Sequence, residues 1–216
     1  MRSGVPQPNS GEEQNARIPL LEPDNMSVAQ RAVFDEVVAG PRGRMIGPLR
    51  AAIHSPELAR HWSRMGEFLR YRTTIPPRQS ELAILVTARR WTSQLEWAIH
   101  AQEAAGAGLP AAVIEAVRLA DVPPFDCDED RLVYAYTREL QQTGTVGLAT
   151  YNAVRELWGD IGVVELTALI GYYALVAMTL NVHELPMPDG YTESLPDLVS
   201  GDLIDLPLPG LAPASA

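Results

Sequence analysis

The sequence lacks lysine entirely and has a single cysteine among its 216 residues. All 17 basic residues are arginine, which excludes a lysine Schiff base and the lysine of a phosphate-binding loop. Because Cys127 has no second cysteine to pair with, an intrachain disulfide and a CxxC redox pair are excluded as well. The polar stretch 1–15 has no apolar core, so we predict no signal peptide.

Positive charge is also scarce, since the formal net charge is -10. A nucleic-acid-binding protein normally has a basic face, so nucleic acid is not an expected partner. An anionic substrate would have to be held by arginines placed locally. The histidines form no HExxH pattern and no CxxC is present, so we predict no metal ion and no other cofactor.

One apolar run is long enough to require a membrane test. Residues 166–180 read LTALIGYYALVAMTL and carry no charge, but they fall short of the roughly 20 residues that a spanning helix needs. Glu165 and His183 flank the run closely. We therefore predict a buried core helix, no membrane association and a cytoplasmic protein.

Proline marks the domain organisation. Prolines cluster at both ends of the chain, so residues 1–24 and 186–216 are predicted to be irregular arms around a single domain, 25–185. Both arms also carry apolar side chains that are expected to pack on the body or on a neighbouring subunit. These are Ile18, Leu20, Leu21, Leu203, Leu206 and Leu208. The tip, 212–216, is expected to be loose.

Between the arms, the pattern is helical throughout and no strand pair stands out. Ser27 and Gln30 form a capping box, and Pro56 and Pro77 stand at first helical positions. We predict an all-α protein with seven to nine helices. They are expected near 28–39, 48–54, 56–71, 77–91, 93–105, 110–120, 128–142, 150–158 and 163–182. Glu165 is predicted to be a helix-start carboxylate.

Ser93, Glu96 and His100 form the constellation with the clearest chemical potential. Their spacing of i, i+3 and i+7 places them on one helical face among apolar neighbours. A turn at 90–92 would bring Glu81 of the preceding helix toward His100. A carboxylate and an imidazole in a dry setting can act as an acid–base pair. The spacing alone favours the simpler interpretation, a surface pair or a hydrogen-bonded interior histidine.

The stretch 77–117 resembles the carboxymuconolactone decarboxylase family. It reads PRQSELAILVTARRWTSQLEWAIHAQEAAGAGLPAAVIEAV, with an early Glu, a turn and then the pattern EWxxH. Residues 163–181 are similar to the family's final long helix, and the likeness covers roughly 25–190. The resemblance implies a single-domain helical bundle of the alkylhydroperoxidase D-like type.

The thiol-dependent branch of that fold carries a Glu, a CxxC pair and a His. Glu81 matches the Glu and His100 matches the His, whereas Ser93 and Glu96 stand at the two cysteine positions. Cys127 lies outside the pattern. A thiol peroxidase needs an attacking and a resolving thiol, so the resemblance implies that this activity is absent. The decarboxylase branch also lacks the thiols and keeps residues that match Glu96 and His100.

The resemblance therefore implies a cofactor-free carbon–carbon lyase, as found in aromatic catabolism. Decarboxylation or proton transfer would take place on a small unsaturated carboxylic acid or lactone. His100 is expected to donate the proton, Glu96 to orient it, and Glu81 to tune the pair or act as a second acid–base group. A homotrimer or homohexamer is expected. The alternatives are an alkylhydroperoxidase-like redox protein and a non-catalytic oligomeric binding protein.

Substrate binding is expected to involve Ser93, Arg89, Arg90 and Trp97. An arginine suits a carboxylate because its planar fork donates two parallel hydrogen bonds. The sequence leaves open which arginine does so. The nearest are Arg70, Arg72, Arg78, Arg89 and Arg90.

Overall fold

Eight α-helices make up most of the computed structural model, which describes residues 16–41, 43–192, 194–196 and 203–210. Within these ranges there is no strand, as the sequence predicts. Residues 1–15 and the tip, 212–216, lie outside the described residues. The helices are α1 Val28–Ala39, α2 Leu49–Ala52, α3 Pro56–Tyr71, α4 Pro77–Arg90, α5 Gln94–Gly106, α6 Ala111–Leu119, α7 Asp128–Thr143 and α8 Leu148–His183.

The helix starts follow the local signals in the sequence. At α1 the capping box is complete: the Gln30 amide donates to Ser27 Oγ, and the Ser27 amide donates to Gln30 Oε1. Proline occupies the first position of α3 and α4. An N–H at this position has no acceptor within the helix, so proline, which lacks the N–H, costs no hydrogen bond there. Ser55 precedes α3 as expected, but its side chain makes no capping bond.

Helix α4 is the centre of the fold. It packs against α5, α6, α7 and α8, and most of its side chains are buried. Leu82, Leu85 and Val86 are among its fully buried residues, so the helix is held from several sides. This surrounding contact fixes the position of Glu81, which lies within α4.

Helix α8 contains two predicted helices joined at a break. Gly159 has φ 68° and ψ -171°, a conformation that glycine adopts readily and that interrupts the helical geometry. Helix α8 as a whole, Leu148–His183, is long and apolar enough to span a membrane by length and composition. However, 61% of its most apolar 18-residue stretch is buried in the fold. This burial favours the core helix that the sequence predicts.

The outer face of α8 carries a row of exposed apolar side chains at alternating spacings of three and four residues. We call this row the α8 stripe. It comprises Ile161, Val164, Leu175, Met178 and Val182, all after the break at Gly159, with the small Ala168 and Gly171 completing the spacing. Such spacing gives a continuous seam along one side of a helix. Within the described part of the chain nothing covers it.

Both arms fold back onto the helical body where they are described. Ile18, Leu20 and Leu21 pack partly buried against the core. In the segment 203–210, Leu206 is buried, whereas Leu203 and Leu208 remain exposed. That segment is held mainly through its backbone: Arg138 Nε donates to the Leu206 carbonyl, and the Ile204 amide donates to the Arg90 carbonyl.

The structure corrects the expectation for Glu165. This residue lies well inside α8 and does not start a helix. Its Oε2 accepts hydrogen bonds from the Thr74 amide at 2.6 Å and from Thr74 Oγ1 at 2.7 Å. The side chain therefore ties the loop between α3 and α4 to α8. The sequence suggested a helix start at Glu165 because this residue precedes the apolar run. In the structure the helical segment begins a few residues earlier, directly after the break at Gly159.

Candidate active site

A buried carboxylate–imidazole pair lies at the junction of α4 and α5. The short turn between the two helices makes them antiparallel, which brings Glu81 to His100 as the topology suggested. Glu81 Oε2 lies 2.7 Å from His100 Nδ1, and the two side chains are only 12% and 7% exposed. A hydrogen bond this short between shielded groups holds the ring in place.

The pairing also decides which ring nitrogen is available for chemistry. With an ionised Glu81 as acceptor, Nδ1 carries the proton and donates it to the carboxylate. Nε2 is then the nitrogen that can exchange a proton with a bound molecule. Tyr173 packs edge-on against the ring, with centroids 5.0 Å apart and planes at 87°, so the imidazole is restrained on a second side.

Glu96 differs from the role expected of it. It is 2% exposed, and neither of its carboxylate oxygens has a hydrogen-bond partner among the described residues. The partner that orients His100 is Glu81, because the turn between α4 and α5 aligns Glu81 Oε2 with the ring nitrogen. The spacing of Glu96 and His100 on one helical face did not reveal this contact from the neighbouring helix.

The surroundings of Glu96 favour its neutral form. Burial raises the pKa of Glu96 well above its usual range, and the nearby Glu81 carboxylate raises it further. The Ser93 hydroxyl opposes this shift, although it lies outside hydrogen-bond geometry to the carboxylate. Burial and the Glu81 carboxylate thus both favour the neutral acid of Glu96 over its carboxylate.

Replacing Glu96 with glutamine should stabilise the fold, and more so as the pH rises. The pKa of Glu96 is raised in the folded state, so the native protein binds the proton more tightly than the unfolded chain. Wild-type stability must then fall as pH rises above the unfolded value near 4.5, until the folded pKa is passed. Denaturant unfolding at pH 5 and pH 8 should show a larger gain for Glu96→Gln at pH 8.

The exposed Glu103 on the same helix provides the control. Glu103→Gln should change the stability at the two pH values by similar, small amounts, because an exposed carboxylate is screened by solvent. An equal effect of Glu96→Gln at pH 5 and pH 8 would show that Glu96 is ionised in the fold.

A cavity of about 50 Å³ opens beside the pair. We call it the catalytic cavity. His100, Glu96, Arg70 and Tyr173 supply its polar groups. The remaining lining is formed by Ile46, Gly47, Pro48, Leu95, Ile99, Tyr172, Val176 and Leu180. The imidazole thus lines a partly open, mostly apolar cavity, a setting in which acid–base groups can act on a bound ligand.

Arg70 is the cation that the structure places at this cavity. Burial opposes its charge, but Tyr173 and the carboxylates of Glu81 and Glu103 outweigh that effect and raise the pKa of Arg70. Its Nη2 lies 3.6 Å from Glu103 Oε1, a loose ion pair with an exposed partner. A charged guanidinium in the cavity wall can bind a carboxylate of a ligand.

The four residues expected to bind substrate do not line the catalytic cavity. Arg89 Nη1 donates to Thr92 Oγ1, and Arg90 Nη1 donates to the Ile204 carbonyl, because both arginines stand at the end of α4 away from Glu81. Trp97 is fully buried in the hydrophobic core. Ser93 is buried at the start of α5. Among the described residues, the arginine that lines this cavity is Arg70.

Tyr172 and Tyr173 of α8 also line the cavity. Their position halfway along an apolar helix favoured a buried hydrogen bond over a place at a pocket. Burial raises the pKa of Tyr173 well above its usual range, so its hydroxyl remains a neutral hydrogen-bonding group.

The remaining reactive groups lie elsewhere. Cys127 precedes α7, does not line the cavity, and its thiol donates to Glu129 Oε2 at 3.0 Å. Burial and the Glu129 carboxylate raise the pKa of this thiol, which makes it a poor nucleophile. Across the described ranges no group of three His, Cys, Asp or Glu side chains is placed to hold a metal ion.

Comparison with known proteins identifies the fold. No family model matches the chain, and no curated protein matches it. The structure is similar to the crystal structure of an alkylhydroperoxidase AhpD core, an uncharacterized peroxidase-related protein from Ralstonia eutropha JMP134. The TM-score is 0.63 at 16% identity, covering 81% of this chain and 93% of that one.

A second similar structure is an uncharacterized peroxidase-related protein from Silicibacter sp. TM1040. The TM-score is 0.62 at 12% identity, covering 87% of this chain and 96% of that one. At such low identity these likenesses show the fold alone. The chain therefore has the all-helical, alkylhydroperoxidase D-like fold that the sequence predicts. The likenesses do not distinguish the decarboxylase branch from others with the same fold.

Proposed function

We propose that this protein is a cofactor-free acid–base enzyme that decarboxylates, or moves a proton on, a small unsaturated carboxylic acid or lactone. The observation that carries the proposal is the buried Glu81–His100 pair, 2.7 Å apart, which faces a cavity that also contains Arg70. An anion-binding group and a proton-transfer group line one cavity. These are the two groups that such a reaction requires.

In the first step, Arg70 holds a carboxylate of the substrate by paired N–H donors. The carbon–carbon bond between the substrate skeleton and a carboxylate group breaks, and that group leaves as carbon dioxide. The two electrons of the bond move into the conjugated carbonyl, which becomes an enolate-type oxyanion. The neutral acid of Glu96 lies in the same wall and adds no negative charge to oppose this oxyanion.

In the second step, the imidazolium of His100 delivers a proton from Nε2 to the substrate carbon. Carbon–hydrogen bond formation returns the electrons from the oxyanion, and the carbonyl is restored. Glu81 stabilises the imidazolium through its bond to Nδ1 and fixes the direction of Nε2. A proton from water then recharges His100, so the net reaction consumes one proton and releases carbon dioxide.

The direct test is to mix the purified protein with γ-carboxymuconolactone and related carboxy-lactones. Carbon dioxide release and loss of ultraviolet absorbance should both follow enzyme concentration. Release of carbon dioxide without protein dependence, or silence across the panel, would count against decarboxylation. Ligand binding with no turnover would instead favour a non-catalytic binding protein.

Nothing in the described residues favours the peroxidase-like alternative. That chemistry needs a thiol beside the acid–base pair, and the catalytic cavity has none in its lining. The resemblance places Ser93 and Glu96 where the thiols would be. Peroxide consumption by the protein is therefore expected to equal that of the buffer.

We also propose a cytoplasmic homotrimer or homohexamer in which the α8 stripe contacts another copy of the chain. The three–four spacing of the stripe suits a second helix with the same pattern, and a repeated subunit supplies one. Burial of the other face of α8 in the fold supports a location in aqueous solution.

Val164→Arg should weaken this association by at least about tenfold, because a charge would be buried in an apolar seam. Sedimentation velocity over a concentration series measures the effect. Glu156→Arg, at an exposed position of α8 outside the stripe, is the matched control and should leave the assembly unchanged. A monomeric wild type, or equal behaviour of both variants, would contradict the proposed interface.

A further inference from the structure

A second cavity adjoins the catalytic cavity. Its volume is about 190 Å³, and it shares Ile46, Gly47 and Leu95 with the smaller one. We call it the annex. Its other lining residues are Leu21, Glu22, Phe34, Met45, Arg50, Ile53, Leu185, Pro186 and Pro188. Because the catalytic cavity measures only about 50 Å³, most of the cavity volume near His100 lies in the annex, at about 190 Å³.

Most of the side chains that line the annex are apolar, although its exposed wall surface is almost equally polar and apolar. Ile53 and Leu185 are buried, and Leu21 and Met45 pack partly buried against the core. The wall combines the N-terminal arm, α1, the segment from α1 to α2, α5 and the residues that follow α8. A space of this kind binds the apolar body of a ligand and leaves its polar ends to the few charged groups in the wall.

Arg50 is the cation of the annex. Its side chain makes no ion pair and no hydrogen bond with any other residue that the structure describes. Glu22 stands in the same wall at an exposed position, and it too forms no ion pair with Arg50 within the described ranges. An uncommitted guanidinium at an apolar cavity can pair with a carboxylate of the ligand.

We infer that the annex is the substrate-body site, and that it selects an elongated acid with an apolar body and an anionic end held by Arg50. This inference rests on the proposed function, because it takes His100 as the reacting end. The reactive group enters the catalytic cavity past Ile46 and Leu95, and the body fills the annex. A compact lactone would leave the annex empty, so longer acids are the preferred class.

Ligand binding to the whole protein tests the inference without any turnover. The probes are the straight-chain dicarboxylates from succinate to sebacate, together with the corresponding monocarboxylates and octanamide, measured by titration calorimetry. Affinity should rise roughly fourfold for each added methylene until the annex is full. The best dicarboxylate should bind at least about tenfold more tightly than octanamide, which has the apolar body without charge.

Two pairs of variants locate the binding. Arg50→Gln should lower the affinity for the best dicarboxylate about tenfold. Arg44→Gln should leave that affinity unchanged, because Arg44 is exposed and lies outside the lining of the annex. Met45→Trp should fill the annex and remove the dependence on chain length. Met65→Trp is its control, since Met65 is 48% exposed on α3 and contacts neither cavity.

The outcomes separate the annex from the acid–base chemistry. Affinity that is independent of chain length, or equal weakening by Arg50→Gln and Arg44→Gln, would overturn the substrate-body site while leaving the proposed reaction intact. Circular dichroism of each variant verifies that it folds. Chain-length-dependent binding that survives in His100→Ala would support the annex even if no turnover is found.

Discussion

Replacing His100 with alanine is expected to lower turnover by at least about a hundredfold while the protein stays folded. One well-placed acid–base group contributes on the order of 10²–10⁴ in rate, and His100 is the imidazole that lines the cavity, with Nδ1 bound to Glu81 and Nε2 left for the proton transfer that we propose. The measurement is the steady-state rate of carbon dioxide release with the most active lactone. Thermal unfolding of both proteins verifies that the loss is chemical.

His61→Ala is the matched control for this experiment. The side chain of His61 is 69% exposed and, among the described residues, pairs with the exposed Glu57, so its removal should leave the rate unchanged. Turnover by His100→Ala at the wild-type level would remove the imidazole from the mechanism. An equal loss in both variants would mean that the effect is not specific to the cavity.

Replacing Asp130 with alanine should reduce the free energy of unfolding by about 3 kcal/mol. This value is at the low end of the range for breaking a buried ion pair, because Arg78 is partly exposed. Asp130 is 0% exposed at the start of α7. Its Oδ2 accepts from Arg78 Nη2 at 2.6 Å, and its Oδ1 accepts from Gln79 Nε2 at 2.9 Å. Removing the carboxylate takes the acceptor from Gln79 Nε2 and leaves Arg78 with Asp126 and the Gly108 carbonyl. Denaturant unfolding followed by circular dichroism measures the loss.

Asp126→Ala is the control, because Asp126 is exposed and pairs with the same arginine. Such a surface pair is worth at most about 1 kcal/mol. A similar small effect from both variants would show that α4 does not depend on Asp130. The prediction is independent of the proposed reaction, since Asp130 contacts neither cavity.

The helices were predictable because their signals are local. Ser27 and Gln30 act within one turn of α1, and Pro56 and Pro77 set the first turns of α3 and α4 by fixing the backbone. The break at Gly159 is possible because glycine has no Cβ and therefore adopts a positive φ without steric cost. Each of these features depends on neighbours in the chain, so a single sequence contains the information.

The site was predictable only in part, because its remaining residues meet through tertiary packing. The turn between α4 and α5 suggested the approach of Glu81 to His100. Helical spacing instead pointed to Glu96 as the orienting partner, which the structure does not support. Arg70 comes from α3 and reaches the cavity through the packing of α3 on α8. No spacing within α3 distinguishes it from the other arginines.

Asp130 shows the same limit outside the site. In the sequence it reads as a carboxylate in the first turn of a helix, a place where a negative charge is favourable by itself. Its burial and its bonds to Arg78 and Gln79 depend on the packing of α7 against α4. Packing of this kind joins residues about fifty positions apart, and helical periodicity contains no information about it.

Hydrogen–deuterium exchange at carbon tests the proton-transfer claim most directly. Wild type and His100→Ala would be incubated in D₂O with small unsaturated acids, lactones and their decarboxylated products, and NMR would follow deuterium next to the carbonyl. The account predicts exchange well above the buffer rate in wild type and a loss of at least about a hundredfold in His100→Ala. Equal exchange in both proteins, or none above buffer with any compound, would contradict it.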